Sequence, residues 1–199
     1  MRYVGQFKDD KPTGKFVYYY RTGEPSMVVE HKIDGTSECK SYHLNGSLMS
    51  SGNYVNQLKE GVWWYFNIDK KVMSKETYAN GLLNGVSYEY FPTGADEKFK
   101  VLQEVNYVKG LAQGPWKMYY KDGKLQSKGT YKDGLPFGQR IWYTAAGAEE
   151  MVGYYKDGKK HGRWKTYDSD REAGYIVFRN GIQVHGRSAE IFLESLQKK

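Results

Sequence analysis

The chain has 199 residues, 39% hydrophobic and 16% aromatic, with 23 Gly, 5 Pro and a formal net charge of +7. Its 19 Tyr, 8 Phe and 5 Trp exclude an intrinsically disordered chain, which is poor in aromatics, and no apolar run reaches the ~20 residues of a membrane-spanning helix. A lone cysteine, Cys39, excludes an internal disulfide and a cysteine-based metal site, and fits a reducing, cytoplasmic compartment.

The first residues, MRYVGQFKDDKPTG, carry no apolar signal core; secretion or a periplasmic location stays open for a chain whose leader has been removed. Residues 1–100 hold 13 basic and 12 acidic side chains, and residues 101–199 hold 17 and 11. The second half is therefore the one expected to attract an acidic partner.

Read in chain order, one pattern recurs. A first copy, FKDDKPTGKFVYYYRTG, starts at Phe7, and a shortened one, HKIDGTSECKSYHLNG, at His31, with Cys39 read at the place of its second glycine. Further copies start at Tyr54 (YVNQLKEGVWWYFNIDK), Tyr78 (YANGLLNGVSYEYFPTG), Tyr107 (YVKGLAQGPWKMYYKDG), Tyr131 (YKDGLPFGQRIWYTAAG) and Tyr155 (YKDGKKHGRWKTYDSDR). A partial copy, FRNGIQVHG, follows at Phe178, and the starts from 54 onward are spaced 24, 29, 24, 24 and 23 residues. The longer step contains a five-residue insertion within ADEKFKVLQEVNY.

Each unit opens with an aromatic residue and a turn ending at Gly81, Gly110, Gly134, Gly158 or Gly181; Asn-Gly and Asp-Gly at these places are hairpin signals. A second glycine (Gly14, Gly61, Gly85, Gly114, Gly138, Gly162) opens the next strand. Two residues beyond it stand Phe16, Trp63, Ser87, Trp116, Arg140 and Trp164; five beyond it stand Tyr19, Phe66, Tyr90, Tyr119, Tyr143 and Tyr167. In an unbroken strand these two positions face opposite ways, so either both faces carry rings or a bulge re-aims one row. Two short strands per unit, punctuated by glycine, predict an all-β array of antiparallel hairpins that pair edge to edge.

The chain closes on RSAEIFLESLQKK, where Ala189, Phe192, Leu193 and Leu196 fall at helical spacing behind Ser188 as N-cap, with Lys198 and Lys199 at the C-terminal end. The expected organisation is a hairpin array over 1–187 and a short α-helix over 188–199 that caps it. A helix that instead binds a partner is the competing reading.

The unit Tyr-x-x-Gly-x-x-x-Gly-x-Trp-x-x-Tyr-x-x-x-Gly resembles the MORN repeat, in the variant form common in bacterial proteins, many of them grouped as YwqK-type antitoxins. The resemblance spans about residues 7–186; Ser87 and Arg140 depart from the usual aromatic, and Gln57, Lys70 and Arg171 from turn glycines. It implies an elongated single-layer ribbon of hairpins and a scaffold or protein-binding role, with acidic-lipid binding known for some MORN arrays.

An enzyme is not expected. His31, His43, His161 and His185 fall at unrelated repeat positions and offer no metal spacing, and Cys39 reads as a small packed residue rather than a nucleophile. GKKHG at 158–162 lacks phosphate-loop spacing, so no cofactor and no metal are expected. Aromatics interleaved with basic residues raise nucleic acid as a partner, but the repeat frame already demands those rings.

The expectation is therefore a non-catalytic protein-binding repeat scaffold, an antitoxin or immunity protein that occludes an acidic toxin partner; the alternative is peripheral binding to acidic membrane lipid. The candidate contact residues are Trp116, Lys117, Tyr119, Arg140, Trp142, Tyr143, Arg163, Trp164, Lys165 and Tyr167.

Overall fold

The computed structural model describes residues 2–92, 99–168 and 171–197. They form seventeen strands and one C-terminal helix, and every strand pairing is antiparallel, as an all-β hairpin array requires. The chain divides into two compact units, Met1–Lys100 with Tyr107–Gly110, and Val101–Asn106 with Leu111–Lys199.

The first unit contains β1 (Arg2–Lys8), β2 (Lys11–Tyr19), β3 (Pro25–His31), β4 (Thr36–Tyr42), β5 (Leu48–Val55), β6 (Leu58–Phe66), β7 (Val72–Ala79), β8 (Leu82–Leu83) and β9 (Gly85–Tyr90). From β1 to β7 each strand pairs with the next, and β7 then pairs with both β8 and β9. β10 (Val101–Val108) gives its first six residues to the second unit. There it is followed by β11 (Leu111–Tyr119), β12 (Leu125–Lys132), β13 (Leu135–Tyr143), β14 (Glu149–Lys156), β15 (Lys159–Asp168), β16 (Arg171–Arg179), β17 (Ile182–Val184) and α1 (Gly186–Gln197). From β11 to β17 each strand again pairs with its successor. Among the described residues no helix is long and apolar enough to cross a membrane.

The hairpin turns follow from residue chemistry. Asp133–Gly134 has φ of 51° and 80°, and Asp157–Gly158 has 51° and 74°. Two consecutive left-handed residues make the tight turn whose twist matches that of the flanking strands. Gln57 and Lys70 stand where other copies have turn glycine and adopt the same left-handed backbone, at φ 66° and 64°.

Rings line both faces of the strands. On the first face of unit one, Phe16, Val29, Cys39 and Trp63 form one buried row across β2, β3, β4 and β6, flanked by Tyr18, Met27, Tyr54, Tyr65 and Tyr78. Trp63 lies over Gly52 of β5, where an added Cβ would meet the indole at 2.3 Å. Phe16 lies over Gly5, and Trp164 over Gly153, in the same way. These three glycines have ordinary backbone angles; their role is to leave room for a flat ring. Each falls where the pairing register slips, between Val4 and Gln6, Ser51 and Asn53, and Val152 and Tyr154. One bulge therefore recurs with each seated ring.

Cys39 corrects the expectation drawn from the sequence. It pairs with Gly52 as Trp116 pairs with Gly129, so it occupies the ring position and not that of the second glycine. The β3–β4 hairpin has no register slip and sets Val29 directly opposite Cys39. With Val in place of the seating glycine, only a small residue fits beside it, and Cys39 is 3% exposed. That burial pushes its thiol above the ordinary range.

α1 begins at Gly186, so Ser188 lies inside its first turn instead of capping it, and Lys198 and Lys199 lie outside the described residues. Ala189 is buried, and Phe192 packs edge-on against His161 of β15 at 5.2 Å, with the Arg179 guanidinium 5.8 Å from its ring. Leu196 lies within 3.7 Å of where a Gly162 side chain would begin. The apolar stripe of the helix thus covers the last long strands, as a cap does.

Candidate binding surface

The ten candidate residues all lie in the second unit, on β11, β13 and β15, but they divide between its two faces. Side chains alternate along a strand, so Trp116 and Lys117 point opposite ways, as do Arg163 and Trp164.

The first face carries Trp116, Arg140, Trp142 and Trp164. Trp116 is 4% exposed and Trp164 1%. The Trp164 indole meets Trp142 at 5.3 Å, Tyr155 at 5.2 Å and Phe178 at 5.6 Å, with the Lys160 ammonium 4.3 Å above it. Its Nε1 donates to the carbonyl of Tyr154 at 3.2 Å. Trp63 of unit one repeats the cation and the indole bond: Lys59 stands 4.6 Å above the ring, and Nε1 donates to the carbonyl of Asn53 at 3.1 Å. Trp164 is thus a frame residue. Such ring pairs contribute about 0.5–1.5 kcal/mol each beyond their burial.

Trp116 departs from this arrangement, since its Nε1 donates to the Gln103 side chain at 3.0 Å. Above it, Arg140 fills the ring position of the next repeat. The guanidinium lies 4.0 Å from the Trp116 centroid, 5.2 Å from Trp142 and 5.9 Å from Tyr155. A planar cation stacks where other repeats stack an aromatic ring.

The second face carries Lys117, Tyr119, Tyr143, Arg163, Lys165 and Tyr167. Lys117 Nζ bonds Glu104 at 2.8 Å, and the Tyr119 hydroxyl donates to the same carboxylate at 3.0 Å. Lys165 Nζ bonds Glu172 at 2.7 Å. These hydrogen bonds hold both ammonium groups above the usual lysine range. Tyr143 has the Lys128 ammonium 5.5 Å from its ring, and Arg163 stacks on Tyr175 at 4.2 Å.

Sequence reasoning missed Tyr154 and Tyr175, about half exposed on this second face, at 48% and 50%. It also missed the acidic partners Glu104 and Glu172, which neutralise two of the cations it singled out. The available signal was alternation: Tyr154 is one residue from Gly153 on β14, and Tyr175 one from Ile176 on β16, so each lies opposite the ring row. The carboxylates gave no signal, because their pairing depends on cross-strand register.

A search of curated proteins finds no significant match to the chain. Residues 36–56, which span β4 and β5, and residues 112–133, which span β11 and β12, match the MORN repeat variant. Each match covers one hairpin with the ring position on its first strand and Gly52 or Gly129 opposite, and so each compact unit of the chain contains a MORN-variant hairpin.

Proposed function

We propose that this chain is a non-catalytic protein-binding repeat scaffold whose contact surface is the second face of unit two. The observation that carries this reading is the division of labour between the faces. The first face spends its indoles on burial, whereas the second presents Tyr119, Tyr143, Tyr154, Tyr167 and Tyr175 beside Arg163, Lys128, Lys117 and Lys165. Tyr154 and Tyr175 are exposed and the other three half-buried. Tyr with Arg at a surface is the composition that protein interfaces favour, because a Tyr ring buries area at little entropy cost. Lys117 and Lys165 are already paired, so Arg163, on an aromatic ring and without a carboxylate among the ion pairs of the described residues, is the stronger anchor. The expected partner is a protein with an acidic surface, and an antitoxin or immunity role, in which the array occludes a toxin, is the specific form of this reading.

The test is partner capture from the native cell by the full chain, compared with Arg163→Glu/Tyr175→Ser. Reversing Lys117 or Lys165 is avoided, since a new carboxylate would then face Glu104 or Glu172. We expect a specific acidic protein to be retained by the wild type and lost by the double variant at an unchanged unfolding midpoint. Equal capture by both contradicts this surface. Flotation with anionic vesicles, in place of protein capture, would favour lipid binding.

A further inference from the structure

We propose that Arg140 is a carboxylate site: its guanidinium, 4.0 Å from the Trp116 ring, 5.2 Å from Trp142 and 5.9 Å from Tyr155, receives an Asp or Glu side chain from an acidic segment of a partner protein. This goes beyond the reading above, because it lies on the other face of unit two and does not depend on the surface around Arg163.

The repeat calls for a seated flat side chain at this position. Gly129 lies eleven residues before Arg140, as Gly52 does before Trp63 and Gly153 before Trp164. The register slips at Gly129 too, between Lys128 and Thr130. The seat for a flat ring is therefore present, with the Arg140 stem 3.3 Å from where a Gly129 Cβ would be. A tryptophan would satisfy the frame at this place, so the frame alone does not account for a charge.

The charge is also left uncompensated. Trp63 and Trp164 each donate their one N–H to a backbone carbonyl of the preceding strand. Arg140 Nε is buried with no hydrogen-bond partner, and none of the ion pairs among the described residues involves the guanidinium. A partly buried cation without a counter-charge is costly, and stacking on Trp116 offsets only part of that cost. Trp116, Trp142 and Tyr155 lie around the guanidinium carbon and Nε is buried, so an anion approaches the edge formed by the two terminal nitrogens. A carboxylate matches that edge, accepting two parallel N–H bonds, while Pro136 and the ring of Tyr131 suit an apolar neighbour on the same segment. The positive charge of the second half of the chain favours an acidic segment.

The probe is the blocked tripeptide acetyl-Phe-Glu-Phe-amide, titrated into the full chain while the arginine Nε–H signals and indole signals are followed by NMR. The Arg140 Nε–H and Trp116 Nε1–H signals should move saturably. The same peptide with Gln in place of Glu should bind about tenfold more weakly or worse, the usual effect of removing a charge-assisted hydrogen-bonding partner. Arg140→Trp should abolish the response at Trp116 while keeping the unfolding midpoint; Arg140→Gln provides the same test should the larger ring disturb the fold. No movement of either signal up to about 10 mM peptide overturns the proposal, since even a weak specific site is half-filled near 1 mM. Tighter binding of inorganic phosphate than of the Glu peptide also overturns it, in favour of a phosphate ligand. Loss of peptide binding with intact capture through Arg163 leaves the scaffold reading standing, so the two failures are separable.

Discussion

Trp164 and Arg140 hold the same place in neighbouring repeats of the second unit, each with a glycine seat on the preceding strand, yet they use it differently. Trp164 is closed on every side: Gly153 beneath it, Trp142, Tyr155 and Phe178 around it, Lys160 above it, and its single N–H bonded to Tyr154. Arg140 shares the seat and the ring neighbours but keeps a charge and a buried donor that nothing in the described chain satisfies. A repeat frame tolerates one irregular residue where neighbouring copies supply the burial, and there a repeat protein gains a feature of its own.

The largest effect should come from emptying the closed position. Trp164→Ala should cost about 3–5 kcal/mol in urea unfolding, by loss of burial and creation of a cavity, whereas Arg140→Ala should cost under about 1 kcal/mol. Equal losses would break the distinction between frame and feature.

A methyl group placed under each side chain sharpens it. Gly153→Ala sets a Cβ 2.2 Å from the Trp164 ring and should cost about 1–3 kcal/mol, because a ring hemmed in by three others cannot retreat. Gly129→Ala meets the Arg140 stem at 3.3 Å, which shifts readily, and the Gln139 carbonyl at an ordinary 3.6 Å, and its midpoint should move by less than half as much.

The smallest effect concerns the cation above the ring. Lys160→Met should cost about 0.5–1 kcal/mol through lost cation–π attraction. A gain instead would show that the ammonium sits over Trp164 for lack of room elsewhere.

Much of this frame was legible in the sequence. The period, the Asn-Gly and Asp-Gly turns and the two recurring ring positions follow from spacing alone. The placing of the two ring rows on opposite faces needed the strand pairing, because a bulge could have re-aimed one of them. The glycines at 52, 129 and 153 were not interpretable in the same way. Their backbone is ordinary, and what they accommodate arrives from the next strand, eleven residues on. Cys39 was misplaced for a related reason: its copy lacks the bulge, and a one-residue change of register shows only in the pairing. At the candidate surface, ten residues read as one patch separate onto two faces once alternation is applied. The Arg140–Trp116 stack crosses from β13 to β11, past a strand with only Gly129 between them, and no local pattern announces that.

The reciprocal exchange tests the central claim most directly. Urea unfolding of Arg140→Trp and of Trp164→Arg should give opposite outcomes: the first unchanged or more stable, since the seat at Gly129 is ready for a ring, and the second strongly destabilised, since a cation would replace a fully enclosed indole. A comparable loss of stability in both would contradict the account, and would make Arg140 part of the frame.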